Sequence, residues 1–390
     1  KVVLNEKDKA YVDVTDNLTF LKDNSFIWTS EKDGFNHVYL YDKNGKLKNQ
    51  LTKGKWEVTN YYGLDEKTNT VFYQSVENGS INRDVYRIGL DGKNKVRLSQ
   101  NTGTNAATFS PNFQYYINTF SSASQPTTYT LNEAKAGKQV QVIENNESLD
   151  AKIKSYNLPA KEFFVLKTAK GNELNAWMIK PKDFDPAKKY PVFMYQYSGP
   201  GSQQVNNEWN STDDYWFMML SQQGYIVACV DGRGTGFKGA DFKKVTQLQL
   251  GKYEVEDQID AAKVIGNYAF VDKSRIGIFG WSYGGFMASN CIMKGNDVFK
   301  MAIAVAPVTN WRFYDSIYTE RYMQTPRENA SGYDTNSPIN HVDKLKGKFL
   351  LIHGSGDDNV HVQNSMQMME ALIQANKQFD SQIYPDNNHG

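Results

Sequence analysis

The run Ile276-Gly277-Ile278-Phe279, followed by Gly280-Trp281-Ser282-Tyr283-Gly284, constrains this chain more than any other stretch. The apolar run reads as a buried strand, and Gly285-Phe286-Met287-Ala288 starts a helix directly behind it. A strand that reverses into a helix over so few residues needs a sharp turn. Glycines two residues either side of Ser282 let the backbone turn without a Cβ clash and lift the serine hydroxyl above the sheet. The N–H of Tyr283, at the helix N-terminus, then faces any negative charge that develops beside that hydroxyl. Gly-x-Ser-x-Gly also arises by chance in ordinary glycine turns, so its surroundings have to carry the reading.

Those surroundings agree. Val192-Phe193-Met194-Tyr195 reads as a strand, Trp216-Phe217-Met218-Met219-Leu220 as a helix and Tyr225 to Val230 as another strand. An amphipathic helix over Glu256–Ile265 precedes the serine strand; the strands Met301–Ala306 and Phe349-Leu350-Leu351-Ile352 follow. Apolar strands alternating with helices predict a mostly parallel, doubly wound sheet covered on both faces. Chemistry then belongs at the C-terminal ends of its strands, where Ser282 and Asp357 both fall.

The first 150 residues follow a different rhythm. Phe26–Ser30, His37–Asp42 and Gln50–Thr52 read as successive strands, and the series recurs at Val71–Ser75, Asp84–Ile88 and Arg97–Ser99. A weaker copy runs through Tyr115–Asn118 and Thr128–Leu131. The offsets from Tyr39 to Tyr86 to Tyr129 fall in the ~40–50 residue range of propeller blades. Asp42-Lys43-Asn44-Gly45 and Asp91-Gly92 supply hairpin turns. A β-sandwich is the plainer alternative. Two or three blades cannot close a ring, so further blades are expected on the N-terminal side. A chain that begins in mid-pattern at Lys1-Val2-Val3-Leu4, with no initiator methionine, fits the same expectation.

Length and composition leave room for two cores and narrow the partners. The chain has 390 residues, 44 Lys and Arg against 43 Asp and Glu, and no long run of one sign. Nothing therefore points to nucleic acid or an anionic membrane surface. No apolar stretch approaches the ~18 residues of a membrane span. Aromatic residues make up 13%, which suits half-buried strands and aromatic-lined clefts better than a helical bundle. The two cysteines, Cys229 in an apolar strand and Cys291 on the helix behind Ser282, read as small buried hydrophobes rather than a disulfide.

A serine hydroxyl needs a base, and a histidine steadied by a carboxylate is the usual one. The histidines are His37, His341, His353, His361 and His389; the order Ser, Asp, His leaves His361 and His389 downstream of Asp357. His361 follows too closely and falls on the expected next helix. His389 sits in the polar loop Pro385-Asp386-Asn387-Asn388-His389-Gly390, free to reach the serine, although a surface histidine reads the same way. For the acid, Asp357 is taken to orient His389 and Asp358 to cap a helix beginning near Val360, but the two could exchange.

With these residues assembled, the chain resembles the dipeptidyl peptidase IV branch of the prolyl oligopeptidase family of serine peptidases. The resemblance rests on Gly280–Gly285, Asp231-Gly232-Arg233-Gly234-Thr235-Gly236, Tyr253-Glu254-Val255-Glu256-Asp257-Gln258, Tyr318-Thr319-Glu320-Arg321-Tyr322 and His353 through His361. It is strong over the C-terminal half and loose over the blade region. It implies part of an all-β propeller over residues 1–150 and an α/β-hydrolase catalytic domain over 151–390, without its final helix. It further implies that Tyr197 joins the Tyr283 N–H in an oxyanion hole. Tyr283, Val308, Trp311, Tyr314, Tyr318 and Val360 would form an apolar slot for a proline or alanine side chain, with Asn359 on the adjoining substrate carbonyl. Without the family, Trp311-Arg312-Phe313-Tyr314 reads as plain packing.

The implied activity is release of N-terminal dipeptides from peptide substrates, with no cofactor and no metal, by a periplasmic or secreted homodimer. The acidic pair that grips the substrate ammonium in this branch lies in earlier propeller sequence, so a prolyl tripeptidyl or acylaminoacyl peptidase is the near alternative. A catalytically inactive binding homologue is the alternative of another class.

Overall fold

A computed structural model describes residues 2–390. Its backbone segregates into two compact units, Lys1–Leu158 with Asn206–Ser211 and Gly236–Phe242, and Pro159–Val205 with Thr212–Thr235 and Lys243–Gly390.

The first unit holds three four-stranded antiparallel sheets, each running in chain order. The first comprises β1 (Thr19–Phe20), β2 (Phe26–Ser30), β3 (His37–Tyr41) and β4 (Leu47–Gln50). The second comprises β5 (Val58–Asp65), β6 (Thr70–Ser75), β7 (Asp84–Gly89) and β8 (Val96–Arg97). The third comprises β9 (Thr104–Phe109), β10 (Tyr115–Ser122), β11 (Gln125–Glu133) and β12 (Gln139–Glu144), followed by helix α1 (Glu147–Ser155). Tyr39, Tyr86 and Tyr129 each lie on the third strand of their sheet, so the repeat seen in the sequence is one sheet long.

Strand β6 shows why its residues are apolar at successive positions. Successive side chains of a strand point to opposite faces. Val71 and Tyr73 join Ile27, Val38 and Leu40 of the first sheet in one buried cluster. Phe72, between them, joins Val85, Leu98 and Tyr116 in another, which reaches the third sheet. The middle sheet is thus buried on both faces. The sequence reading missed the two-residue β1, and also β5, β9 and β12, which polar residues interrupt or expose; all six residues of β12 are exposed. It also set β4 too late, at 50–52; Leu51 is buried but lies just beyond the strand.

The second unit is built on one eight-stranded sheet. Its strands are β13 (Lys161–Lys167), β14 (Glu173–Ile179), β15 (Tyr190–Tyr195), β16 (Ile226–Asp231), β17 (Val271–Trp281), β18 (Met301–Val305), β19 (Lys348–Gly354) and β20 (Asp380–Tyr384). They lie in the order β13-β14-β16-β15-β17-β18-β19-β20. β13 and β14 pair antiparallel, as do β14 and β16, and every later pair is parallel. The remaining α-helices are α2 (Ser211–Gln222), α3 (Ala240–Lys244, divided between the two units), α4 (Tyr253–Gly266), α5 (Tyr283–Lys294), α6 (Ser316–Met323), α7 (Ala330–Asn336) and α8 (Gln363–Gln374).

Helix α5 has a run of eleven buried residues from Tyr283 to Met293, so it is a core helix rather than an amphipathic one. Cys229 and Cys291 are both free and buried. Among the described residues no helix is long and apolar enough to cross a membrane.

Candidate active site

The C-terminal ends of four parallel strands carry the side chains singled out in the sequence: Tyr197 after β15, Ser282 after β17, Asp357 after β19 and His389 after β20. Ser282 occupies φ 61°, ψ −116°, a region closed to most L-residues, at a cost on the order of 1–3 kcal/mol. Neighbouring backbone explains how this turn is tolerated. A Cβ on Gly280 would come within 2.3 Å of the Gly284 carbonyl oxygen, and one on Gly284 within 2.6 Å of the Gln196 carbonyl oxygen. Strand pairing continues through the turn, with the Ser282 N–H donating to the Val305 carbonyl at 2.8 Å. The Tyr283 N–H, in the first turn of α5, has no intrahelical acceptor by construction.

The acid and the histidine meet. His389 Nδ1 lies 2.7 Å from Asp357 Oδ2. Asp357 is buried while Asp358 is exposed, and Asp357 Oδ1 also accepts the N–H groups of Asn359 and Val360 at 3.0 and 2.9 Å. The expected division of labour therefore changes: Asp357 takes both the imidazole and the turn amides. The next helix begins at Gln363 rather than near Val360, so Asp358 does not cap it. The indole N–H of Trp281 donates to the His389 carbonyl at 2.9 Å, tying the end of β17 to the histidine loop. His361 is exposed ahead of α8.

Burial raises the Tyr197 phenol above its ordinary value, and the influence of the Ser282 side chain offsets part of the rise. The phenol is therefore a neutral donor near pH 7. Its ring packs 6.0 Å from that of Tyr283.

Tyr283 opens an aromatic cluster. Its ring centroid lies 5.4 Å from Trp311, which stacks on Tyr318 at 5.8 Å and meets Tyr314 edge-on at 5.8 Å. Val308, Trp311 and Val360 are buried. The Tyr314 hydroxyl donates to Asn359 Oδ1 at 2.7 Å, linking the cluster to the loop that bears Asp357.

Two partners of this site escaped the sequence reading. His353, on β19, places Nε2 3.2 Å from Asp357 Oδ2 and 2.7 Å from the Val360 carbonyl, with Nδ1 2.6 Å from Ser365 Oγ. Glu254, on α4, receives the Tyr283 hydroxyl at 2.5 Å. The sequence did hold a signal for the second: Glu254, Asp257 and Gln258 share the helix face that Ala261 and Ile265 bury, where polar residues need a reason.

Comparison with known proteins agrees with this architecture. Residues 210–390 match the prolyl oligopeptidase family, and residues 1–127 match the dipeptidyl peptidase IV (DPP IV) N-terminal region. The chain belongs to the prolyl oligopeptidase family, in its dipeptidyl peptidase IV type. The "Probable dipeptidyl peptidase 4" of Aspergillus flavus is 38% identical over 380 residues, covering 95% of this chain and 49% of that protein. Dipeptidyl peptidase 4 of Trichophyton equinum is 36% identical over 94% of this chain and 48% of its own length. The crystal structure of Porphyromonas gingivalis dipeptidyl peptidase 4 superimposes with a TM-score of 0.96 at 50% identity, covering 100% of this chain and 55% of that one. The chain thus spans about half the length of the curated relatives it matches.

Proposed function

We propose that this chain is the catalytic portion, with adjoining blades, of a serine exopeptidase that releases N-terminal dipeptides bearing proline or alanine second. The observation that carries the reading is the 2.7 Å contact between His389 Nδ1 and buried Asp357, in a loop whose His389 carbonyl accepts the indole N–H of Trp281, the residue before the strained Ser282. With Nδ1–H held by the carboxylate, Nε2 is the free acceptor for the Ser282 proton. Ser282 Oγ then attacks the substrate carbonyl, and the Tyr283 N–H and Tyr197 hydroxyl take up the oxyanion. His389 returns the proton to the leaving amine, and water repeats the cycle on the acyl-enzyme.

The slot of Tyr283, Val308, Trp311, Tyr314, Tyr318 and Val360 receives the second residue of the substrate, and Asn359 meets the neighbouring carbonyl. The three antiparallel sheets are read as the last blades of a β-propeller, and residues from about 151 as the hydrolase domain. By likeness to its family the whole protein is read as a periplasmic or secreted homodimer acting on peptides.

In the full-length protein, Ser282→Ala should abolish turnover of Gly-Pro-p-nitroanilide and labelling by a fluorophosphonate. Retained turnover would refute the assignment. A preference for blocked or tripeptide substrates over Gly-Pro would replace the dipeptidyl reading with that of a related peptidase.

A further inference from the structure

Helix α4 faces the Ser282 turn from behind, and its buried side presents Glu254 and Gln258, one turn apart. The Glu254 carboxyl is fully buried, accepts the Tyr283 hydroxyl at 2.5 Å, and receives the Gly251 N–H at 3.1 and 3.2 Å. Gln258 Nε2 donates to the Val230 carbonyl at 2.7 Å and to Ser198 Oγ at 3.3 Å. Ser198 Oγ donates in turn to Gln196 Oε1 at 3.1 Å, and Gln196 Nε2 donates to the Gly284 carbonyl at 2.8 Å. Tyr197 lies between the two linked residues, and Ser198 itself stands at φ 66°, a conformation that needs such support.

We propose that Glu254 and Gln258 are positioning residues of the oxyanion site, Glu254 holding Tyr283 by its ring and Gln258 holding the Tyr197 turn through Ser198 and Gln196. The inference rests on the hydrolase reading above. An oxyanion hole works only if its donors are set before charge develops, because their reorganisation would otherwise add to the barrier. Tyr283 cannot set its own N–H: that group sits at the strained turn, and the ring is the lever that fixes it. A buried carboxyl is costly unless satisfied, so an apolar residue would serve a purely packing role better. Burial raises Glu254 to about 7, so its protonated and ionised forms are close in energy near neutral pH, and either can accept the hydroxyl. The titratable groups that influence or feel it are Asp257 on α4, Tyr283, Cys291 and Lys294 on α5, and Tyr318 on α6.

The test is steady-state kinetics on Gly-Pro-p-nitroanilide and the rate of fluorophosphonate labelling, in full-length protein. Glu254→Leu and Tyr283→Phe should each lower kcat about tenfold with KM within about twofold, and the double variant should be no worse than the poorer single one. Glu254→Gln, which keeps an acceptor, should recover kcat to within about twofold of wild type. Gln258→Leu should slow wild type but add nothing in a Tyr197→Phe background. Wild-type kcat in folded Tyr283→Phe, multiplying effects of Glu254→Leu and Tyr283→Phe, or a loss confined to KM would each overturn the proposal. If Glu254→Leu does not fold, Tyr283→Phe and Glu254→Gln still decide it. A wild-type protein that neither turns over substrate nor takes the label overturns the hydrolase reading as well.

Discussion

Nε2 of His353 stands 3.2 Å from Oδ2 of Asp357, so the carboxylate that meets His389 is shared with a second imidazole inside the sheet. The tautomer of His353 follows from its neighbours. The Val360 carbonyl can only accept, so Nε2 carries the proton and Nδ1 accepts from the Ser365 hydroxyl. Burial lowers the His353 pKa, the main effect, which keeps the ring neutral. The ring therefore steadies Asp357 without cancelling its charge.

His353→Leu should destabilise the protein by about 1–3 kcal/mol for each buried partner left unpaired. It should also lower kcat, because Asp357 loses one of its fixed donors. Below the ordinary histidine pKa of 6.5 the unfolded chain binds the proton more readily than the folded one, so this residue makes stability rise with pH there. Urea unfolding at pH 5.5 and 7.5 checks both effects. A variant with wild-type stability and an unchanged acid slope would show that the contact contributes nothing.

Tyr197→Phe removes one hydroxyl and leaves the ring in its packing against Tyr283. If that hydroxyl meets the developing oxyanion, kcat should fall by about 10²-fold while KM changes little. Burial raises the phenol above its ordinary value, so no loss of activity through its ionisation is expected near neutral pH. Equal losses in binding and turnover would move Tyr197 out of the oxyanion site and into ground-state contact.

Glu254 imposes an opposite pH trend. Its folded carboxyl titrates at about 7 against an ordinary 4.5, with burial the chief cause. Between those values the folded state keeps a proton that the unfolded chain releases, so stability falls as pH rises through the window. The full loss is about 3 kcal/mol. Glu254→Gln should remove it, and the variant should gain on wild type between pH 5 and pH 8. His353 contributes its acid-side slope to both proteins, so the difference isolates Glu254. Parallel pH profiles in chemical unfolding would count against this account.

Much of the second unit was legible because its strands are apolar runs and its turns are glycine-marked. Ser282 follows a strand and precedes a helix on periodicity alone, and the order of acid and base points to His389 and to an acid at Asp357 or Asp358. Other features were hidden for physical reasons. Strand β5, Val58-Thr59-Asn60-Tyr61-Tyr62-Gly63-Leu64-Asp65, carries two register irregularities against β6, so its alternation is broken where pairing shifts. Which of Asp357 and Asp358 turns inward depends on one peptide orientation in a tight turn, and composition holds no trace of that. His353 looks like an ordinary buried strand residue until β20 and the loop after it bring His389 alongside. Contacts between strands distant in sequence are set by topology.

Gly284→Ala tests whether the Ser282 turn is limited by conformation or by space. Gly284 lies in the first turn of α5, and it is absent from the residues at positive φ, so alanine faces no dihedral penalty there. On helix propensity alone the change should stabilise by roughly 1 kcal/mol. Its Cβ, however, would lie 2.6 Å from the Gln196 carbonyl oxygen and 3.3 Å from the Tyr197 Cα, both backbone atoms that cannot swing aside. Relief requires moving the Tyr197 segment away from Ser282. Fluorophosphonate labelling should therefore fall by at least about tenfold, with a stability loss of about 1–3 kcal/mol typical of overpacking. Gly224→Asn makes a useful contrast: Gly224 is at φ 91°, and a Cβ added there would meet nothing within 4 Å, so strain without collision should leave labelling intact. Equal labelling of Gly284→Ala and wild type would show that the turn has slack, and that close backbone approach is not what holds the serine in place.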